Sequence, residues 1–308
     1  MTEDGRVLVT GAVGLIGRRV VERLLQAGRA VIATDRVAPA APLACEFVTA
    51  ELSDVLRLAG MVERGMSAIL HCGGISGQML AKDNPAGILT INVGGTATLL
   101  ELARLARVPR FVFCSSVHAY GDTPPGMEPV TEDAPLAARE VYGASKVAAE
   151  AAVRAYAMEH GMQACALRLG WVYGPRRTTP SLTARMVRDA ALGKPVTLVE
   201  HDGRHPVPLL HVEDAVAALL AALDAPHVQG RAFNIVGGPS QPFTAIADMI
   251  AAEVPGWRAA FTPGQALAEY RQANFCLHAA AEGLGWAPRV TPQQGLADYL
   301  GWLGREAF

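Results

Sequence analysis

The sequence predicts an α/β protein with a doubly wound parallel sheet and a smaller C-terminal substrate lobe. Strand-like apolar runs alternate with helical patterns along the first two-thirds of the chain. Alternation with short connections favours a mostly parallel sheet with helices on both faces. A Gly-rich turn follows the first apolar run, and after about Gly170 the pattern loosens, with prolines between short elements. The loosening predicts the separate lobe.

The first element is an apolar strand, Arg6–Thr10, which leads into glycines spaced G-x-x-G-x-x-G. A helical pattern through Val20 and Leu24 follows at once. Gly permits unusual dihedrals, and a missing Cβ lets the backbone approach a pyrophosphate that faces the helix N-terminus. The unit is typical of a Rossmann dinucleotide site, although a tight βα turn without a ligand is the alternative. The residues expected at the cofactor here are Gly11, Val13, Gly14, Leu15, Ile16 and Gly17.

The second strand, Ala30–Thr34, ends at Asp35, 18 residues after Gly17. A carboxylate at this point can accept both hydroxyls of a ribose and would repel a 2′-phosphate. The neighbouring Arg36 could pair with that phosphate, but Asp35 stands in front of it. The cofactor expected is therefore NAD rather than NADP, with Asp35 and Arg36 beside it.

The later elements continue the alternation and define the predicted domains. Strands are expected at Phe47–Val48, Ala68–His71, Arg110–Cys114, Ala164–Leu167 and Ala232–Val236, and helices at about 88–106, 141–160 and 213–223. We predict that residues 1–170 and about 205–240 form the NAD-binding Rossmann domain, and that about 171–204 and 241–308 form the substrate-binding lobe.

Composition excludes several classes of function. The 308 residues are 51% hydrophobic and 18% charged, which allows a large core, and the net charge of −2 gives no electrostatic case for nucleic acid or an anionic membrane. The five cysteines are scattered without C-x-x-C, so we predict no metal site and no disulfide framework. The N-terminus lacks the apolar core of a signal peptide, and no apolar run reaches about 18 residues. A cytoplasmic protein with a small-molecule substrate is expected.

A pair of residues on the helix near position 141 indicates catalysis. Tyr142 and Lys146 are four residues apart and share a helical face. A nearby ammonium favours the phenolate and lowers a Tyr pKa from about 10 toward working pH, so that the phenol can take a hydroxyl proton. The chain has only three lysines against 24 arginines, which suggests that an ammonium is required here. Ser116, at the end of the fifth strand, can bind the same oxygen. The predicted catalytic residues are Ser116, Tyr142 and Lys146.

These segments together resemble the extended short-chain dehydrogenase/reductase family, the NAD-dependent epimerase/dehydratase group. Further segments that carry the resemblance are Asn92-Val93-x-Gly95-Thr96, Tyr120-Gly121, Arg168 with Val172–Pro175, His211–Asp214 and Asn234–Gly238. The resemblance implies the catalytic roles given above and a homodimer packed through two long helices. It also implies further cofactor contacts, namely Glu51, Leu52, His71, Cys72, Gly73, Asn92, Tyr142 and Lys146.

Two departures from the family pattern concern the substrate. Nucleotide-sugar members usually have Asn where this chain has Trp171, and Arg where it has Val207. A diphosphate needs charge-assisted donors, and both expected ones are missing, although Arg204 could substitute. The segments His71–Ser76 and Ser115–His118 resemble those of uronate dehydrogenases, with Val117 in place of Asn. The predicted substrate contacts are Ser76, Ser115, Ser116, His118, Tyr142, Trp171, Arg177 and Arg185.

Three hypotheses follow. The first is an NAD-dependent dehydrogenase or epimerase that transfers hydride between NAD and a hydroxyl carbon of a free sugar, a sugar acid or a related hydroxy acid. The second is a UDP- or dTDP-sugar 4-epimerase or dehydratase. The third is a non-catalytic NAD-sensing protein, which the presence of both Tyr142 and Lys146 disfavours.

Overall fold

The structure is a computed structural model that describes residues 5–62, 65–76, 80–81, 83–123, 126–262 and 271–305. Its centre is a parallel sheet built from β1 (Arg6–Thr10), β2 (Val31–Asp35), β3 (Glu46–Thr49), β4 (Met66–His71), β5 (Arg110–Ser116), β6 (Gln163–Leu169) and β11 (Ala232–Ile235). The strand order is β11-β6-β5-β4-β1-β2-β3. The predicted doubly wound sheet is therefore confirmed. Because the order reverses between β1 and β4, a crevice opens there at the carboxyl ends, where ligands of such sheets bind.

Helices cover both faces of the sheet, as the alternation predicts. They are α1 (Leu15–Gln26), α2 (Val55–Val62), α3 (Pro85–Leu89), α4 (Gly95–Leu105), α5 (Val141–His160), α7 (Val212–Asp224) and α9 (His278–Leu284). Val7 and Val9 of β1 face the core under α1 and α7, whereas Leu8 faces the core under α4 and α5. All three side chains are fully buried, which explains the continuous apolar run in the sequence.

The predicted helix at about 88–106 is a composite. A single π-helical turn, Thr90–Gly94, joins α3 to α4. The continuous segment Pro85–Leu105 is long and apolar enough to cross a membrane by length and composition alone. Core helices share this composition, and Leu99 and Ala103 of this segment are fully buried against the sheet. Packing therefore explains part of its apolar character, whereas Leu89 and Leu105 of the same segment are exposed.

The substrate lobe has a separate hydrophobic core. Its elements are β7 (Trp171–Tyr173), α6 (Leu182–Ala191), β8 (Val196–Val199), β9 (Pro206–Val207), β10 (Leu209–His211), β12 (Gln241–Pro242), α8 (Phe243–Glu253), β13 (Arg258–Phe261) and α10 (Pro292–Leu303). The core contains Met186, Phe243 and Tyr299.

Two parts of the structure depart from the predicted domains. Strands β9 and β10 were predicted in the Rossmann domain, but Val207 and Leu209 pack in the lobe core. The second part was predicted in the lobe. Helix α9 packs on the sheet core through Ala280 and Leu284, together with Trp286. The Trp286 indole donates to the backbone carbonyl of Asp214 in α7 at 3.1 Å, and the Asp214 carboxylate accepts from two backbone N–H groups of the segment that follows α9. These long-range bonds tie the segment to α7, which the local pattern could not reveal. The remaining domain boundaries stay a prediction.

Candidate active site

The Gly-rich turn is shaped for close approach. Gly11 has a φ of +65°, and a Cβ on it would lie 2.7 Å from the Gly73 backbone. A Cβ on Gly17 would lie 2.1 Å from the Gly11 carbonyl oxygen. Helix α1 begins beside Gly14, and no side chain of the described residues caps its first amides. These free N–H groups and the positive end of the helix dipole fit an anionic pyrophosphate.

The acidic residue of the second strand lies at the rim of this turn. Asp35 ends β2, and its carboxylate accepts the backbone N–H of Val13 at 3.0 Å. This bond ties the Gly-rich turn to the carboxyl end of β2, where the ribose of a dinucleotide is expected. Arg36 and Glu51 are exposed beside it, and Leu52 lies against Gly73. The residues predicted around the adenosine half of the cofactor are thus brought together at one edge.

The structure gives His71 a different role from the predicted one. Its ring is fully buried, and both ring nitrogens are engaged: Nδ1 lies 2.7 Å from Thr10 Oγ1, and Nε2 lies 3.0 Å from Thr96 Oγ1. Because the Thr96 hydroxyl donates to the Asn92 carbonyl, it must accept from Nε2–H, so that Nδ1 accepts from Thr10. Burial lowers the pKa of His71 to about 3, with a smaller effect of Lys146, and this agrees with a neutral ring.

The His71 side chain therefore does not line the cofactor site itself. It orients Thr10, whose hydroxyl accepts the backbone N–H of Gly73 at 3.1 Å. Gly73 is the residue that faces the Gly-rich turn. The prediction of His71 as a direct contact is corrected on this ground, while the backbone of Gly73 keeps its predicted place.

Asn92 links the cofactor side of the site to the catalytic helix. It lies in the π-helical turn, with its side chain buried. Its amide accepts from Ile75 N at 2.8 Å and donates to Ile75 O at 3.1 Å and to Ser145 Oγ at 2.9 Å. Single π turns occur frequently at functional sites. Asn92 thus fixes the loop after β4 relative to α5. Its predicted contact with the cofactor stays a prediction.

The three predicted catalytic residues lie together at the carboxyl end of β5. Lys146 is buried, its Nζ donates to the Cys114 carbonyl at 2.8 Å, and it lies 5.8 Å from the centre of the Tyr142 ring. Burial lowers the pKa of Lys146, and nearby acidic groups partly oppose this. Ser116 Oγ accepts the His118 N–H at 3.2 Å and lies at the start of a 3₁₀ turn, Val117–Tyr120. The cluster can exchange a proton with a hydroxyl held above it.

Cys72 follows β4 and lies beside Cys114 in this cluster. A hydrogen bond to the Cys114 thiol and burial raise the pKa of Cys72 well above its usual range. Both effects keep the thiol neutral, so Cys72 acts here as a small apolar wall rather than a nucleophile.

Ser115 does not face the substrate side. Its hydroxyl donates to Glu150, and Arg168 binds the same carboxylate at 2.9 Å. Successive residues of a strand point to opposite faces, so Ser115 and Ser116 cannot both reach the reacting oxygen. The predicted substrate contact at Ser115 is corrected accordingly. Glu150 was missed, although its position four residues after Lys146 was the signal.

Two aromatic rings adjoin Tyr142, a predicted catalytic residue. The His118 ring stacks on Trp171 with centroids 5.8 Å apart and meets the Tyr142 ring edge-on at 5.6 Å. His118 Nδ1 lies 2.9 Å from a Glu140 oxygen, and the Trp171 indole donates to Gln272 at 3.0 Å. The predicted contacts His118 and Trp171 are thus brought together, with His118 beside Tyr142. Ser76 is exposed in the loop after β4.

Two predicted substrate contacts, Arg177 and Arg185, bind backbone carbonyls in this structure. The Arg177 guanidinium donates to the backbone carbonyls of Val172 and Thr179, and burial lowers its pKa. Arg185 is exposed on α6 and donates to the Leu198 carbonyl at 2.6 Å, away from the catalytic cluster. Both side chains are thus held by backbone oxygens. Val207 is 1% exposed in the lobe core, so it contributes only an apolar side chain.

A possible metal-ligand group lies in the loop after β8. One ligand atom each from His201, Asp202 and His205 lies within 4.8 Å of the others. However, His201 Nδ1 accepts the Gly203 N–H at 2.8 Å, which leaves the proton of a neutral ring on Nε2. This tautomer opposes metal binding through Nε2. The absence of a metal remains a prediction.

Known proteins are similar to this chain over most of its length. A profile of the NAD dependent epimerase/dehydratase family matches residues 7–236. A UDP-glucose 4-epimerase of Mycolicibacterium smegmatis is 32% identical over 263 residues, covering 80% of this chain and 83% of the relative. The solved structure of MoeE5 with UDP-glucuronic acid and NAD is 28% identical, with a TM-score of 0.88 over 97% of this chain and 98% of that one.

A dehydratase has a similar structure. DesIV, a dTDP-glucose 4,6-dehydratase from Streptomyces venezuelae solved with NAD bound, is 25% identical, with a TM-score of 0.86 over 96% of each chain. The predicted NAD cofactor is confirmed by these matches.

Proposed function

Because the chain belongs to the NAD-dependent epimerase/dehydratase family, we propose that it inverts a hydroxyl-bearing carbon of a nucleotide sugar, most simply as a UDP-sugar 4-epimerase. The observation that carries this proposal is the cluster of Ser116, Tyr142 and Lys146 at the carboxyl end of β5, beside the Gly-rich turn. The substrate class is supported by similarity to proteins named as UDP-sugar 4-epimerases.

The chemistry divides among these side chains. NAD, held by the Gly-rich turn and Asp35, would supply a reversible hydride acceptor for the reacting carbon, and inversion would require that the hydride return to the opposite face of that carbon. Tyr142 as phenolate takes the proton of the substrate hydroxyl, and the ammonium of Lys146 stabilises the phenolate charge. Ser116 donates a hydrogen bond to the reacting oxygen, which becomes a carbonyl oxygen. Return of the proton from Tyr142 to that oxygen completes an exchange without net oxidation.

The first hypothesis from the sequence, a free sugar or sugar acid as substrate, becomes the second candidate. The relatives support the nucleotide-sugar hypothesis better. One observation at the site still favours a free sugar acid. Val207 is buried in the lobe core, and the Trp171 indole donates to Gln272. Neither position therefore offers a cation to a diphosphate. Arg204 is exposed in the loop before β9 and is the nearest substitute in sequence.

The test is a product assay. The protein with NAD is incubated with UDP-glucose or UDP-glucuronate, and the 4-epimer is separated by anion-exchange chromatography. We expect conversion without net NADH, and a loss of about 10²–10⁴-fold in Tyr142→Phe because general base catalysis is removed. NAD binding, measured by calorimetry, should be retained in this variant. Net NADH formation with uronates, and no turnover of any UDP- or dTDP-sugar, would contradict the proposal in favour of the second candidate.

A further inference from the structure

Two side chains of α5 form hydrogen bonds with two consecutive residues of β5. Lys146 Nζ donates to the Cys114 carbonyl at 2.8 Å, and the next residue, Ser115, donates its hydroxyl to Glu150. Lys146 and Glu150 are four residues apart on α5, so they share one helical face. Both are buried, with 6% and 7% of their surface exposed. The Lys146 ammonium and the Glu150 carboxylate therefore lie in the same buried layer between α5 and β5.

A second group holds the carboxylate in place. Arg168 of β6 donates to Glu150 Oε2 from Nε at 3.0 Å and from Nη2 at 2.9 Å. Its other terminal nitrogen donates to the Tyr120 hydroxyl at 2.6 Å and to the Glu132 carbonyl at 2.8 Å. The paired geometry fixes the carboxylate between Ser115 and Arg168. Glu150 therefore cannot leave this position, one helical turn from Lys146, without breaking these bonds.

We infer that Glu150 is the buried counter-charge of Lys146, a positioning residue that keeps the ammonium charged in a site closed to water. The inference rests on the proposed role of Lys146 as the cation beside Tyr142. Burying an unpaired ammonium is costly, and a fixed carboxylate one helical turn away offsets that cost. Arg168 and Ser115 serve this arrangement by orienting the carboxylate, which also explains why Ser115 faces away from the substrate.

The other groups around Lys146 do not replace this charge. The side chains that act on it electrostatically are Cys114 on β5, Cys72 after β4, Glu150 on α5 and His71 on β4. Tyr142 lies on its own helix, one turn before it. Cys72 has a raised pKa and His71 a lowered one, so both are neutral near pH 7. Glu150 is the carboxylate among these neighbours, whereas Cys114 and Cys72 are thiols and His71 is an imidazole.

The test observes Lys146 directly. The chain has only three lysines, Lys82, Lys146 and Lys194, so ¹³Cε-lysine labelling gives three signals, and Lys146→Met assigns one of them. A pH titration compares the wild type with Glu150→Gln and with the neutral double variant Glu150→Gln/Arg168→Met. We expect the Lys146 midpoint to fall by about one pH unit or more in Glu150→Gln, because an opposite charge is removed, and by a smaller amount in the double variant, which also loses the Arg168 cation. An unchanged midpoint in Glu150→Gln would overturn the inference.

Two further variants separate this role from a merely structural one. Tyr120→Phe disturbs Arg168 but keeps the carboxylate, so we expect an unchanged Lys146 midpoint. Ser115→Ala keeps every charge and is the test to use if the Glu150 variants do not fold. Because the Glu150 carboxylate loses one hydrogen bond in this variant, we expect the Lys146 midpoint to fall by a smaller amount. A wild-type midpoint in folded Ser115→Ala would then count against the inference. These titrations need no substrate, so they stand or fail independently of the product assay.

The activity readout is the alkaline limb of the rate profile. In the product assay, Glu150→Gln should lose its rate at a lower pH than the wild type, since the ammonium is lost earlier. A fall in kcat at every pH without movement of the limb would indicate only a packing defect and would contradict the proposed role.

Discussion

His71 shows how burial decides the state of one titratable group. Its ring is enclosed by Thr10 and Thr96, and its folded pKa is lowered to about 3. An exposed His in the unfolded chain has a pKa of about 6.5. Between these values the unfolded chain binds more protons than the folded protein, so stability falls as the pH falls. Its contribution is fully present above about pH 6.5 and is lost on acidification.

This argument predicts a difference between the wild type and His71→Gln. Glutamine can accept from Thr10 and donate to Thr96, but it does not titrate. From about pH 6.5 to about pH 5, the wild type should lose about 2 kcal/mol more unfolding free energy than the variant, at about 1.4 kcal/mol per pH unit. Urea unfolding at a series of pH values measures this. Parallel stability curves for the two proteins would show that His71 is not held neutral.

The Gly-rich turn and the helix after it depend on contacts that a Cβ would destroy. Gly17 lies in the first helical residues of α1, and its added Cβ would meet the Gly11 carbonyl at 2.1 Å. Gly60 lies inside α2, where a Cβ would meet nothing within 4 Å. A Gly→Ala substitution should therefore lower the free energy of unfolding at Gly17 and raise it at Gly60.

We expect Gly17→Ala to cost about 1–3 kcal/mol of stability, because the turn must shift, and to weaken NAD binding. Gly60→Ala should stabilise the protein by as much as about 1 kcal/mol, the difference in helix propensity, and leave NAD binding unchanged. Denaturant unfolding and NAD calorimetry on both variants check this. Equal NAD affinity in Gly17→Ala and the wild type would mean that the turn does not approach the cofactor.

The elements that local patterns describe were predicted well, and those set by distant partners were not. Strands β1, β2 and β5 are continuous apolar runs because both of their faces are buried. The Gly-rich turn and the pair Tyr142–Lys146 could be predicted because their residues are only a few positions apart in the sequence. The π turn at Thr90–Gly94 leaves the apolar period nearly intact, so a plain helix was expected there.

Partners across the fold could not be read in the same way. The bond between Thr10 and His71 spans 61 residues, and the bond between Ser115 and Glu150 spans 35. Either side chain alone looks like an active-site candidate, and only the tertiary contact shows that it supports another residue. Only the structure therefore shows that His71 and Ser115, at the carboxyl ends of β4 and β5, support other residues.

The molecule as a whole leaves one helical face uncovered. On α5 the exposed apolar residues recur at four- and three-residue spacing: Ala144, Ala148, Ala151, Ala155 and Met158. The opposite face of the same helix holds Tyr142, Lys146 and Glu150, all buried. Leu105, at the end of the neighbouring α4, is also exposed. A stripe with this spacing fits close packing against a second helix.

We therefore expect a homodimer in which α4 and α5 of two copies pack together, as the family resemblance implies. Ala151→Glu places a charge in the middle of the stripe and should shift the protein toward monomer in sedimentation velocity, because a buried charge without a partner is costly. Ala252→Glu, at an exposed position of α8, is the matched control and should not change the oligomeric state. Since the same helix carries the predicted catalytic residues Tyr142 and Lys146 on its buried face, dissociation should also lower the turnover rate. A wild-type sedimentation coefficient in Ala151→Glu would place the subunit contact elsewhere.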